Sequence, residues 1–282
     1  MVQGKHVLAA SLALLVACAG PPPQRARPKP AVATPVQDRC LVRPTALALP
    51  LNPELPRDFL VANEAFEAGR ALAEAGQPLA AMERFEDAVA ADPGHGLAHL
   101  ALAEAHLFTD NDVQAIRRHL ATAVVLLPSN PRAHLRFANA SAEANDPEAA
   151  VTHWRCALAL RPELAEAHAQ LARYLLAAGQ PLEAEAEIQA ALKAEPDAYP
   201  HHVLLADALE AQARPLDAAR AVERAARLVG RSAALFRRAA ALYDAARAEG
   251  DADEMRAEAD RLDPPAEPRA LRPLLKRRKR SR

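Results

Sequence analysis

Residues 162–196 read PELAEAHAQLARYLLAAGQPLEAEAEIQAALKAEP. The stretch begins and ends on proline, and its middle holds Gly179-Gln180-Pro181, a helix stop followed at once by a helix start. Outward from it, Pro93, Pro128, Pro162, Pro196, Gly230 and Pro264 follow one another at gaps of 35, 34, 34, 34 and 34 residues. A 34-residue period marks stacked helix–turn–helix units. Such a chain is a solenoid whose neighbouring units bury one continuous core and present extended surfaces to partners.

If the period is real, other positions recur for packing reasons. With the proline or Gly230 as position 32, units begin at Ala62, Gly96, Pro131, Ala165, Tyr199 and Ala233, the second carrying one extra residue in its turn. Position 8 is then Gly69, Ala103, Ala138, Ala172, Ala206 and Ala240. Position 27 is alanine throughout: Ala88, Ala123, Ala157, Ala191, Ala225 and Ala259. Position 20 is Ala81, Ala150, Ala184, Ala218 and Ala252, with Ile116 in the second unit. Small side chains there let paired helices approach to the lower end of the ~8–10 Å interaxial range. Turn signals separate them at Gly76-Gln77-Pro78, Asp110-Asn111-Asp112 and Asn145-Asp146-Pro147. The signal weakens to Ala213-Arg214-Pro215 in the fifth unit, and the sixth shifts its glycine to Gly250. Proline at position 32 ends each second helix, having no N–H and restraining the residue before it.

Small residues at 8, 20 and 27, glycine near 15 and proline at 32 resemble the tetratricopeptide-repeat (TPR) family over about residues 58–266. The resemblance implies an all-α, right-handed superhelical solenoid of about six repeats. Position 4, an aromatic in that family, departs from it as Ala65, His99, His134, His168, His202 and Phe236. Aromatics are 4% of residues, so the core is expected to be built from alanine and leucine. The chain is 51% apolar, and a net charge of −1 gives no case for nucleic acid.

The first residues set the compartment. Lys5 and His6 precede the apolar run 7–17, which is too short to span a bilayer. It ends Leu15-Val16-Ala17-Cys18, similar to the lipobox of bacterial lipoproteins. That resemblance makes Cys18 the acylated first residue of the mature chain, and multiple acyl chains hold a protein on a membrane. Ordinary secretion, with cleavage after Ala17-Cys18-Ala19, is the other reading. Ten prolines in residues 19–57 describe a semi-rigid spacer of about 3.1 Å per residue. The chain thus divides into a signal peptide (1–17), a proline-rich tether (18–57), the repeat array (58–266) and a basic, disordered tail (267–282). Cys40 and Cys156 are compatible with a disulfide in an oxidising periplasm. At a separation of 116 along the chain, two unpaired thiols are expected instead.

His99, His134, His168 and His202 share one position in four consecutive units. Zinc bonds imidazole nitrogen at about 2.0–2.1 Å, whereas equivalent positions in successive units stand roughly 10 Å apart across an intervening helix. They are therefore expected to replace the usual aromatic between paired helices, with a pH-sensitive packing ladder as the milder alternative. His95 and His99 are four apart without a third ligand, so no metal site is expected. There is no HExxH, GxSxG, Walker-type loop or CxxC pair, so the sequence gives no support to an enzyme, a cofactor or a small-molecule substrate.

In the TPR family the first helices line a concave groove. Read onto this chain, the resemblance points to an apolar strip of Phe66, Leu100, Leu107, Phe108 and Leu135. It also gives a polar row of alternating charge at Arg70, Glu104, Asn139, Arg173 and Asp207, with Arg132 at the start of the third unit. A protein or peptide segment with hydrophobic anchors and mixed charge suits such a groove; the competing reading is inter-repeat packing under a solvated face. The family's basic clamp for acidic chaperone tails is not reproduced. The tail Lys276-Arg277-Arg278-Lys279-Arg280 is either a solvated end or an electrostatic contact to an anionic envelope surface.

These features describe a non-enzymatic, lipid-anchored scaffold or assembly factor of the bacterial envelope, facing the periplasm from the outer membrane. In architecture the layout resembles the pilotins that help type IV pilus secretins assemble. An accessory regulator of a periplasmic envelope enzyme and a soluble secreted adaptor are the alternatives.

Overall fold

The computed structural model describes Cys40, residues 57–109 and residues 112–264, all within one compact unit spanning Pro35–Arg282. Cys18 and the basic tail lie outside the described residues. Twelve α-helices pair into six repeats among them: α1 (Phe59–Glu74) with α2 (Pro78–Ala91), and α3 (Gly96–Phe108) with α4 (Val113–Leu126). Next come α5 (Pro131–Glu143) with α6 (Pro147–Leu160), and α7 (Ala165–Ala177) with α8 (Pro181–Ala194). The last are α9 (Tyr199–Ala211) with α10 (Pro215–Val229), and α11 (Ala233–Ala245) with α12 (Glu249–Leu262). No helix among the described residues is long and apolar enough to cross a membrane.

Two backbone devices repeat with the sequence period. Five of the six first helices are followed by a residue with positive φ: Gly76 (72°), Asn145 (58°), Gly179 (73°), Ala213 (57°) and Arg247 (60°). The next N–H closes back on the carbonyl five residues earlier, as in Gln77 to Leu72 (2.9 Å) and Gln180 to Leu175 (2.8 Å). This Schellman closure satisfies carbonyls the helix leaves open. In the sixth repeat Arg247, not Gly250, takes the left-handed turn, and Gly250 lies inside α12. The second device ends the second helices. Asp92, Arg161 and Asp263 precede proline and adopt φ of −137°, −143° and −144°, the extended region that proline imposes on its predecessor. Gly230, which has no proline to copy, uses φ 72° instead.

The alanine ladder is the seam of each helix pair. All six position-27 alanines are 0% exposed, and the position-20 residues are at most 3%. Gly69 shows why one position-8 residue is smaller still: a Cβ there would stand 2.7 Å from the Phe85 ring. Core clusters bridge neighbouring repeats, with Leu100, Ile116, Leu120 and Phe137 joining the second to the third. Trp154, Leu171, Ile188 and Leu204 carry the core onward from the third. Each repeat therefore completes its neighbour's burial.

The cysteines correct the sequence expectation. Cys40 and Cys156 form a disulfide with their Cα atoms 5.4 Å apart, and both are buried. Separation along the chain misled because Cys40 packs back onto α6, the second helix of the third repeat. Cys40 thus belongs with the array, inside the stretch 18–57 read from the sequence as tether.

Candidate functional site

The first helices carry a ladder of polar contacts from repeat to repeat. Glu104 of α3 receives both Arg132 (Nε 2.8 Å, Nη2 2.6 Å) and Arg136 (Nε 3.2 Å) of α5. Arg136 and Asn139 reach Glu166 of α7 at 3.3 and 3.0 Å. The Trp154 indole donates to the Asn139 side-chain oxygen at 2.8 Å, orienting that amide. Asp207 accepts from Arg238 at 2.6 Å. Arg70 pairs within its own helix, with Glu67 and Glu74, and Arg173 is exposed. Glu104, Arg132, Asn139 and Asp207 therefore bond adjacent repeats to one another.

The apolar residues divide. Phe66, Leu100 and Leu135 are core, at 9, 5 and 4% exposure, whereas Leu107 and Phe108 at the end of α3 are 40 and 78% exposed. Leu107 lines a small recess between the second and third repeats together with Glu104, Ile116, Arg136, Asn139 and Glu143, and Phe108 follows it in the chain. An exposed apolar pair next to a charged recess is what remains of the strip read from the sequence.

Position 4 shows a device that sequence reading missed. The imidazole Nε2–H of His99, His134, His168 and His202 donates to the carbonyl of Pro93, Pro128, Pro162 and Pro196 in turn, at 3.0, 3.0, 2.9 and 2.8 Å. A carbonyl only accepts, so in the neutral rings Nδ1 carries the lone pair. That lone pair faces position 23 of the second helix. In the second repeat it meets His119 Nδ1 at 2.9 Å, and in the third His153 Nδ1 at 2.8 Å. In the fourth repeat Nδ1 instead carries a proton and donates to the Glu187 carboxylate at 2.6 Å, so both nitrogens of the His168 ring donate, as in an imidazolium. Aligning the units and reading 19 residues on from each histidine (20 in the longer unit) would have found these partners. His95 is no ligand candidate: its Nδ1 accepts the Ala98 N–H at 3.0 Å and caps α3, while Nε2 bonds Asn63.

Burial pushes His119 and His153 down to about 4, helped by the facing imidazoles His99 and His134. His99 and His134 are lowered by the same burial. His168 goes the other way. Its burial would lower it, but the Glu187 hydrogen bond, the Pro162 carbonyl and the Glu187 charge together raise it above 6.5.

A tetratricopeptide-repeat family model matches residues 72–118. No curated protein matches the chain. Among solved structures, PilW, titled a widely conserved type IV pilus biogenesis factor, aligns at TM-score 0.59 and 20% identity, over 74% of this chain and 96% of its own. PilF of Pseudomonas aeruginosa aligns at 0.59 and 19%, over 72 and 92%. YrrB, titled a TPR protein with an unusual peptide-binding site, aligns at 0.53 and 13%, over 61 and 86%. With the 34-residue period, the left-handed turn closures and the alanine seam, these likenesses give the array the fold of a tetratricopeptide-repeat solenoid.

Proposed function

We propose that this protein is a non-enzymatic scaffold or assembly factor of the bacterial envelope. It is held at the outer membrane by acylated Cys18 and captures a protein segment on its first-helix face. The observation that carries the reading is Leu107, 40% exposed and lining a recess with Glu104, Arg136, Asn139 and Glu143, followed in the chain by Phe108 at 78% exposure. Single exposed apolar residues are ordinary on a protein surface. An exposed Leu-Phe pair beside fixed charges of both signs matches a segment with one apolar anchor and mixed charge, docking in a groove. The likeness to PilW favours a pilus or related secretion machine over the enzyme-regulator alternative. The basic tail adds a contact to an anionic membrane surface, at about 1 kcal/mol per basic residue close to it.

The test expresses the full chain and Cys18→Ala in a bacterial host with a clickable fatty acid, followed by crosslinking in the membrane fraction. Fatty-acid label that depends on Cys18, with one dominant crosslinked envelope protein, is the expected result. Absence of label removes the anchor and leaves a secreted adaptor. Phe108→Arg with Leu107→Glu should then abolish that crosslink while helical circular dichroism stays intact. A crosslink that survives the pair removes the recess as the docking site. Loss of secretin multimers on gene deletion supports the pilus reading; altered cell-wall fragments with normal secretin would move the assignment to enzyme regulation.

A further inference from the structure

The geometry points to a zinc site in the third repeat, built from His134, His153 and Cys156 with Cys40 as fourth donor, that forms when the Cys40–Cys156 disulfide is reduced. His134, His153 and Cys156 each offer a donor atom, all within 4.8 Å of one another and all buried; they are the one such group of three among the described residues. Two imidazoles and two thiolates are a common tetrahedral zinc set. The sulfur is unavailable as a strong ligand while it is bonded to Cys40.

Little has to move. Zinc arms of about 2.0–2.1 Å to nitrogen and 2.3 Å to sulfur set donor separations of roughly 3.3–3.8 Å. The two Nδ1 atoms, now 2.8 Å apart, must open by about half an ångström. His134 already presents a bare Nδ1, because its Nε2–H is fixed on the Pro128 carbonyl at 3.0 Å. A backbone carbonyl behind the ligating ring is the usual support for a zinc-bound histidine. His153 gives up its shared Nδ1 proton and carries it on Nε2.

The steps balance. A protein dithiol of the envelope attacks one sulfur of the disulfide, and its second thiol resolves the mixed disulfide. Two electrons and two protons reach Cys40 and Cys156, and the reductant leaves oxidised. Zn2+ then binds the two thiolates and expels those two protons. The crosslink holding Cys40 to α6 is thereby kept in both redox states, covalent in one and through the metal in the other.

The second repeat is an internal control. It has the same imidazole pair, His99 and His119, at 2.9 Å, but Thr122 stands where the third repeat has Cys156. Zinc uptake should therefore need Cys156 and be indifferent to His119.

The experiment titrates the purified full chain with Zn2+ against a chromophoric chelator, and with Co2+ as a spectroscopic probe. It is done oxidised and again under a phosphine reductant, which adds no competing thiol. The reduced protein should take up one equivalent at least about 100-fold more tightly than the oxidised one, with a thiolate-to-cobalt charge-transfer band. Cys40→Ser exposes Cys156 without any reductant. It should bind one equivalent through three protein ligands, more weakly than the reduced wild type. Cys156→Thr and His153→Phe should lose the band; His119→Phe should keep it. Circular dichroism accompanies each titration. A reduced chain that takes up no metal, folded or not, overturns the proposal. So does equal binding by the oxidised protein, or a cobalt band that survives Cys156→Thr.

Discussion

In the third repeat the buried His134 ring meets another imidazole, His153, at 2.8 Å. One repeat further along, His168 occupies the same position, makes the same bond to a proline carbonyl, and meets the Glu187 carboxylate at 2.6 Å. The backbone device is common to both; the residue at position 23 differs, and His168 is less buried than His134. The two differences together reverse the electrostatics. A second imidazole shields the first from water and offers it no negative charge, so both rings stay neutral. A carboxylate outweighs the same kind of burial and holds the ring protonated to higher pH. Position 4 is therefore a structural clip between helix and loop, whereas position 23 and the ring's burial set its charge.

The largest consequence is acid sensitivity seated in the second and third repeats. His119 and His153 titrate at about 4 in the fold against 6.5 when unfolded, and His99 and His134 are also lowered. Below 6.5 the unfolded chain binds more protons than the folded one, so stability is full above that range and lost as pH falls towards 4. Each tenfold difference in proton affinity between the two states is worth about 1.4 kcal/mol, so the two pairs together lose several kcal/mol. Chemical denaturation at pH 7 and at pH 4.5 measures it. His119→Glu with His153→Glu gives these repeats the fourth repeat's chemistry and should remove most of the loss. If the double variant melts in acid as the wild type does, the pairs are not its source.

The second contrast is covalent. Cys156 of the third repeat is bonded to Cys40, while the second repeat has Thr122 there. Closing so long a loop restricts the unfolded chain, and loss of a disulfide costs typically about 2–4 kcal/mol. With a chelator present to exclude metal, a reductant should lower the wild-type unfolding free energy by that amount. Cys156→Thr should unfold as the reduced wild type does and ignore the reductant.

These two contrasts also mark where sequence reading stopped. The fold was legible because the period is written in residues the backbone demands, such as Gly179 in a left-handed turn and Pro162 fixing an extended Arg161. Ala157 was legible for the same reason, since only a small side chain fits a seam where it is 0% exposed. The histidine partners were hidden because His119, His153 and Glu187 share a position, not a residue type. The disulfide was hidden because Cys40 lies outside the period that orders everything else. Leu100 and Leu107 look alike in sequence and lie on nearly the same face of α3, but Leu100 packs into the core between the second and third repeats, whereas Leu107 sits at the helix's C-terminal end and is 40% exposed.

Exchanging one residue tests the comparison from the other side. Glu187→His turns the fourth repeat into a copy of the third. The His168 titration followed by NMR should drop from above 6.5 to below it. Folding stability in acid should fall with it, by about 1.4 kcal/mol for each tenfold loss of proton affinity. Stability at pH 7 should change far less, because a neutral imidazole pair replaces a hydrogen-bonded histidine–carboxylate pair. A His168 that titrates unchanged would mean that Pro162, not Glu187, sets its charge.

The smallest effect concerns the turns, where repeats also differ in one residue. Gly76 and Gly179 adopt φ 72° and 73°, and nothing within 4 Å would meet an added Cβ at either. Ala213 holds the same turn at φ 57° with a side chain present. A left-handed L-residue costs roughly 1–2 kcal/mol, and glycine's greater freedom in the unfolded chain returns about 0.4–1 of that. Ala213→Gly should therefore stabilise the array by about 0.5–1 kcal/mol, raising its melting temperature by about 1–4 °C. Gly179→Ala should lose about as much, and purely through backbone strain, since space is open around it. The two measured together separate strain from packing. Equal and opposite shifts assign the whole effect to the left-handed turn. A loss at Gly179 without a gain at Ala213 would mean that the Ala213 methyl makes contacts offsetting its strain.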